Sequence, residues 1–243
     1  MAGPQLPHDP LEHYLSHWGF DPLRVDSYVA GAKYFALMLD SGNIGISAIY
    51  EHLPDDSLLR GATPDLTNMG HRIILNAWFN ALLNYDTPVD GDGDIFDVTD
   101  FSRYDNIVMI GWFGTLLDKM ESYGVKPVVF DRLHDDPVLA PPEMLEESLA
   151  GADSLIITGT TISNNTFSGI VSATAAECDT LLLGPSNILH RDMFRYRNIK
   201  VIFGSLFRNG DTGLLDLVAM GHGTRELMGN LKKVYICKDN WRL

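Results

Sequence analysis

Residues 154–166 read SLIITGTTISNNT: an apolar run of strand character breaks at Thr158-Gly159 into a loop crowded with hydroxyl and amide side chains. A short apolar run bounded by turn residues is the pattern of a strand buried on both faces. The same punctuation recurs on either side. Residues 107–110 end at Gly111, residues 127–130 end at Asp131, and residues 180–183 end at Gly184-Pro185-Ser186. Further apolar runs lie at 200–203 and 233–237, and helical spacing fills the intervals at 115–123, 144–149, 168–177 and 214–221. Strands alternating with helices require right-handed crossovers. The expected fold class is therefore α/β, a Rossmann-like and mostly parallel sheet with helices on both faces.

Toward the N-terminus the rhythm changes. Residues 11–18 suit a helix, and the apolar runs 28–39 and 44–50, joined by Asp40-Ser41-Gly42-Asn43, predict a β-hairpin. After a polar loop at 54–64, Thr67 or Asn68 stands where a cap is needed. Within residues 71–85, Ile74, Leu75, Trp78, Phe79 and Leu82 share one helical face. This half is expected to be a smaller α+β unit. Between the halves, residues 86–100 read DTPVDGDGDIFDVTD, which predicts a solvated acidic linker. The expected division is residues 1–88, a linker at 89–103, and residues 104–243. No internal repeat is present.

Charge narrows the partners. The 243 residues carry 18 Lys and Arg against 32 Asp and Glu, a formal net charge of −14. Such a surface repels phosphate backbones and anionic headgroups. The basic cluster His190, Arg191, Arg195, Arg197, Lys200 and Arg208 is broken by Asp192 and by apolar residues. Nucleic acid and membrane are therefore not expected as partners. With no apolar stretch long enough to span a bilayer and no leader pattern in residues 1–10, the expected location is cytoplasmic.

Several smaller motifs have plain readings. Two cysteines, Cys178 and Cys237, cannot build a disulfide framework or a thiolate cluster, and are expected to be buried and inert. His13 and His17, with His8 nearby, have metal-ligand spacing but read more simply as a surface pair. Asp90, Asp92 and Asp94 imitate a calcium loop, yet Ile95 and Phe101 stand where Gly and Glu are required. Gly221-His222-Gly223 either sets an imidazole in a cleft or ends a helix.

An open parallel sheet takes its ligand outside the carboxyl ends of its strands. That rule makes Gly111 and Phe113 candidates in the first loop. Gly111-Trp112-Phe113-Gly114 lacks the third glycine of a dinucleotide fingerprint and sets aromatics where a pyrophosphate would lie. It is either a ligand contact through backbone N–H groups or a tight turn. Asp131 closes the second strand, where an acid either binds a ribose or pairs with Arg132 to hold the loop. As the nearest ionisable group it is the candidate catalytic residue. The third loop contributes Thr158, Gly159, Thr160, Asn164, Asn165 and Thr166, and the fourth Gly184, Pro185 and Ser186. Helix capping accounts for one or two of these polar groups, not all. Neither G-x-S-x-G nor H-E-x-x-H occurs, so serine-hydrolase and zincin readings lack support.

Ile156-Ile157-Thr158-Gly159 with Asn165-Thr166, followed by Leu183-Gly184-Pro185-Ser186, resembles the heavy-metal chelation family. Ile110-Gly111-Trp112-Phe113 is similar to that family's first loop. Leu75-Asn76-Ala77 with Asn80-Ala81-Leu82 resembles its helix bearing an Asn-Ala pair, and the hairpin with Gly45 resembles its opening strands. The likeness spans residues 26–236 and is densest over 154–186. It implies an enolase-N-terminal-like domain before the Rossmann-like one, with a ligand site in the cleft between them and Asn76 contributing from the first. Asn187 departs from the family's Thr-Pro after Gly-Pro-Ser, and Asp131 stands where Glu is common, which marks a divergent member.

The resulting expectation is a small-molecule or metal-complex binding protein, with or without catalysis. The sequence leaves the cofactor open, with a metal ion or a metal complex favoured over S-adenosylmethionine or a nucleotide. Two separated cysteines do not suit a soft metal held by thiolates, so a metal would arrive as a complex or bind through oxygen and imidazole. The alternative is a transferase or lyase using S-adenosylmethionine or a nucleotide. A third reading is a protein-interaction role through the acidic linker or Trp18 and Phe20. A homodimer is compatible with such a fold.

Overall fold

The computed structural model describes residues 9–196, 198–239 and 241. His8 and Arg197, named above, lie outside these. The chain opens with α1 (Pro10–Trp18), capped by the Asp9 carboxylate on the N–H of Leu11. β1 (Val25–Ala30), β2 (Tyr34–Leu39) and β3 (Ile44–Ala48) form an antiparallel sheet in that order. The expected hairpin is β2–β3. The run 28–39, however, is parts of two strands rather than one, because the chain turns back at Gly31-Ala32-Lys33, where Gly31 N donates to Tyr34 O at 2.9 Å. α2 (Met69–Leu83) lies on β2 and β3. Its cap is Asn68, which accepts from the N–H groups of Gly70 and His71.

The larger sheet is built from β4 (Gly91–Asp92), β5 (Ile107–Ile110), β6 (Val128–Phe130), β7 (Ser154–Thr158), β8 (Asp179–Leu183), β9 (Ile199–Phe207) and β10 (Leu231–Cys237). Its helices are α3 (Ile95–Val98), α4 (Gly114–Ser122), α5 (Leu145–Gly151), α6 (Thr160–Ser163), α7 (Phe167–Ala173), α8 (Thr212–Ala219) and α9 (Thr224–Leu227). The strand order is β4-β10-β9-β8-β7-β5-β6. β5 through β9 are mutually parallel, whereas β10 runs antiparallel to β9 and β4 antiparallel to β10. The fold is thus α/β, a mostly parallel seven-stranded sheet flanked by helices beside a smaller three-stranded antiparallel one.

Two features go beyond the sequence reading and have clear causes. β10 is not a parallel strand because α8 does not cross the face of the large sheet. Instead Leu214, Leu215 and Val218 of α8 pack with Ala36, Met38, Ile44 and Ile46 of the small sheet. The acidic segment is not wholly solvated either. Ile95, Val98 and Phe101 are buried against Ile107 and Met109, and Gly91–Asp92 extends the sheet. Its aspartates do local work: Asp94 and Asp97 form a reciprocal capping box on α3, and Asp100 caps the next turn.

Other sequence expectations sort plainly. His13 is buried rather than on the surface, with Nε2 2.8 Å from Asp192 Oδ2, while His17 is exposed. Gly221, in the left-handed region at φ 81°, ends the helix. Among the described residues no helix is long and apolar enough to cross a membrane.

Candidate functional site

Four polar side chains on α2 and its C-cap, Arg72, Asn76, Asn80 and Asn84, follow one another at intervals of four and so share one helical stripe. All four are buried, where a missing hydrogen bond costs free energy; Asn76 Oδ1 and Asn80 Oδ1 lack a partner among the described residues, but each of the four side chains has N–H donors that are met. Their partners are the loops that follow β7 and β8. Arg72 donates from Nη2 to Ile162 O at 2.6 Å and from Nε to Ser163 O at 3.1 Å, satisfying carbonyls in α6. Its charge is matched by Asp9, bidentate at 2.5 and 3.1 Å.

Asn76 Nδ2 donates to Ser186 O at 3.0 Å, Asn80 Nδ2 to Pro185 O at 3.2 Å and Asn187 O at 2.7 Å, and Asn84 Nδ2 to Asn187 O at 3.1 Å. Asn84 Oδ1 in turn accepts from Leu189 N at 2.7 Å. One helix of the first half therefore grips two loops of the second.

Those loops meet each other closely. A Cβ on Gly159 would come within 2.3 Å of Asn187 Oδ1, so the glycine is required by loop packing. Gly111 sits at φ 106°, and a Cβ there would also press on the Thr158 side chain at 2.9 Å. Both glycines belong to the floor of a cleft of about 510 Å³. The floor is the carboxyl ends of β5, β6, β7 and β8. The opposite wall is the last residue of β3 and the two that follow it (Ala48 to Tyr50) with Tyr34 and Thr224, whose hydroxyls lie 2.6 Å apart.

The cleft brings together most of the residues singled out from sequence. Gly111, Phe113, Asp131, Thr158, Gly159, Thr160, Asn164, Thr166, Gly184, Pro185 and Ser186 all line it. Asn76 and Asn165 do not. Asn76 is fully buried behind the Ser186 loop, holding it in place. Asn165 takes the left-handed conformation at φ 62°, which Asn tolerates better than most residues, and so turns the chain from α6 into α7.

Many of the loop hydroxyls are engaged internally. Thr158 Oγ1 meets Thr160 Oγ1 at 3.1 Å, Thr161 Oγ1 donates to Thr158 O at 2.7 Å, and Thr166 Oγ1 donates to Asn164 Oδ1 at 2.6 Å. Ser186 Oγ accepts from Ala48 N at 3.0 Å, another tie between the halves.

Asp131 has a full set of partners. Oδ2 accepts from Trp112 N at 2.9 Å, and Oδ1 accepts from Leu133 N at 2.8 Å and His134 N at 2.9 Å, with His134 Nδ1 also at 2.9 Å. Burial alone would raise its pKa. The hydrogen bonds from the His134 ring and the two backbone N–H groups outweigh that, and the carboxyl stays below the usual range. A low-pKa carboxylate already accepting four bonds is a loop organiser and a poor proton acceptor. Its ring partner is His134, not Arg132, which reaches Glu51 instead at 3.4 Å.

Sequence reasoning missed Tyr34, Tyr50, His134 and Thr224. The His134 ring stacks on Trp112 with centroids 5.2 Å apart at 20°, adding an aromatic edge to the cleft. Its position three residues after a strand-ending acid was the only signal available.

The donor set for a soft metal is poor. Among the described residues no group of three or more His, Cys, Asp or Glu is placed to hold an ion. Neither cysteine lines the cleft. Burial pushes the Cys178 thiol up to about 12 and the Cys237 thiol up to about 11, so both stay protonated and poorly suited to metal binding.

A family sequence profile, DUF364, described as "Putative heavy-metal chelation", matches residues 94–237. No curated protein matches the chain. Among solved structures, a DUF364-family protein of unknown function from Pyrococcus horikoshii is similar at 15% identity with a TM-score of 0.74, over 88% of this chain and 93% of that one. A second, from Desulfitobacterium hafniense DCB-2 and also of unknown function, is similar at 14% identity with a TM-score of 0.70, over 94% of this chain and 96% of that one. At such identities the likeness speaks to fold alone. Together with the resemblance carried by the Thr158-Gly159 and Gly184-Pro185-Ser186 loops, the profile match identifies the chain as a member of the DUF364 family.

Proposed function

We propose that this protein binds a small organic molecule, or a metal already wrapped in one, in the cleft between the small sheet and the carboxyl ends of β5 to β8. The supporting observation is the lining itself. Apolar and aromatic surface from Ile49, Ile110, Trp112, Phe113 and Phe130 is interrupted by a few hydroxyls and amides, the composition of an organic-ligand pocket. The family's description points to heavy-metal chelation. A bare ion does not suit a chain whose two thiols are raised to about 12 and about 11 and stand away from the cleft. A complexed metal would present its organic shell to such walls.

An adenosyl or nucleotide cofactor gains little from Asp131, because the oxygens that would hold a ribose diol already accept from Trp112, Leu133 and His134. Native and denaturing mass spectra of freshly purified protein, with elemental analysis, test the proposal. The expected result is an organic mass released on denaturation, with any metal in fixed ratio to it. A stoichiometric heavy-metal ion without an organic mass would overturn it.

A further inference from the structure

A second, smaller pocket of about 180 Å³ adjoins the cleft, lined in part by Glu51, His52 and Ser163. The two spaces share Tyr50, Asn164 and Arg132. Each of these three has hydrogen-bond donors left over. The Tyr50 hydroxyl is buried with no partner among the described residues, an arrangement that costs free energy unless something fills it. Asn164 Oδ1 is taken by the N–H and hydroxyl of Thr166, which leaves Nδ2 without a hydrogen-bond partner among the described residues. Among the described residues Arg132 uses only Nη2, on Glu51 Oε1 at a long 3.4 Å, and both side chains of that pair are well exposed.

We propose that Tyr50, Asn164 and Arg132 form a carboxylate subsite at the junction of the two pockets. The ligand would place a carboxylate there and an apolar, aromatic body in the larger cleft. This rests on the cleft being the binding site, as argued above.

Three observations favour an anion. All three groups can donate, and Arg132 carries a fixed positive charge, so together they suit an acceptor supplied by the ligand. The Asp131 carboxylate is already engaged by His134 and by the backbone N–H groups of Trp112, Leu133 and His134, so it does not draw on these three donors. Glu51 holds Arg132 through one long, solvent-exposed contact, and such pairs contribute little, so a ligand carboxylate displaces it readily. Burial also pushes the Tyr50 phenol up, which keeps it a donor at neutral pH.

The test uses 1-naphthylacetate and its neutral isostere 1-naphthylacetamide as probes. Calorimetry gives the affinities, and the Trp112 indole N–H resonance reports occupancy of the cleft. A charge-assisted carboxylate contact predicts that the acid binds about tenfold or more tighter than the amide. Arg132→Gln should bring the two within about twofold. Asn164→Asp, which keeps the acceptor for Thr166 but adds a like charge, should make the acid the weaker ligand. Tyr50→Phe should weaken the acid severalfold and leave the amide unchanged. Equal binding of acid and amide to the unaltered protein, both shifting the Trp112 signal, would overturn the subsite and leave the cleft standing. If neither probe binds or shifts that signal, the cleft reading fails and the subsite with it.

Discussion

The side-chain amide of Asn80 lies 2.7 Å from the backbone carbonyl of Asn187, although the two residues are 107 positions apart. That contact is the centre of a ladder in which α2 holds the loop after β8 through Asn76, Asn80 and Asn84 and the loop after β7 through Arg72. The cleft has its shape because a helix from the first half fixes two loops of the second. A site built this way is rigid before any ligand arrives, which lowers the ordering cost of binding.

Replacing Asn80 by Ala would leave Pro185 O without its donor, while Asn187 O keeps Asn84. The expected destabilisation is about 1–3 kcal/mol. Asn80→Asp would set a buried charge against two carbonyls and cost more than the Ala change. Urea unfolding of the two variants checks both the size and the order.

Arg72→Met should be among the most damaging single changes. It strands the Asp9 carboxylate and removes the donors to Ile162 and Ser163. Loss of one partner from a buried pair costs about 3–5 kcal/mol. The double variant Arg72→Met with Asp9→Asn should recover part of that loss. Strict additivity of the two changes in a double-mutant cycle would contradict the coupling.

Gly159→Ala forces a Cβ toward Asn187 Oδ1 and should destabilise by about 1–3 kcal/mol through overpacking. Removing the obstacle with Asn187→Ser should relieve part of this, even though Asn187 itself donates to Phe203 O at 2.7 Å. Thermal melts of the single and double variants decide it.

The acid limb of stability carries a signature of Asp131. Its folded pKa lies below the ordinary 3.8, so the folded state favours the charged form. The stabilisation is present above the unfolded value and is lost as pH falls through 3.8 toward the lower folded pKa. Asp131→Asn should be less stable near neutrality and show a flatter decline between about pH 5 and pH 2. Parallel slopes for the two proteins would show that Asp131 does not contribute there.

The sheet was legible because buried strands announce themselves. Residues 107–110 are β5, and the runs ending at Phe130, Ile157 and Leu183 mark β6, β7 and β8. The rule that ligands sit beyond carboxyl strand ends then placed the loops at Gly111, Thr158 and Gly184 around one cleft. Other features depend on distance in sequence. Nothing local distinguishes a polar stripe that holds loops from one facing water, so Arg72 and Asn84 went unnoticed. Asn76 was assigned to the cleft when it lies behind it. The aspartates at 94, 97 and 100 masked a short amphipathic turn whose apolar side packs on β5. Tyr34 and Thr224 meet only because α8 and α9 lie beside the small sheet, a placement that strand periodicity cannot carry.

The most direct measurement is a ¹H–¹⁵N correlation spectrum of the protein titrated with a panel of small aromatic and aliphatic carboxylates and amides. The account predicts shifts concentrated at the Trp112 indole and at the amides of Gly111, Thr158, Thr160 and Ser186. Shifts centred elsewhere, or none with any member of the panel while cadmium ion alone moves the cleft resonances, would contradict it.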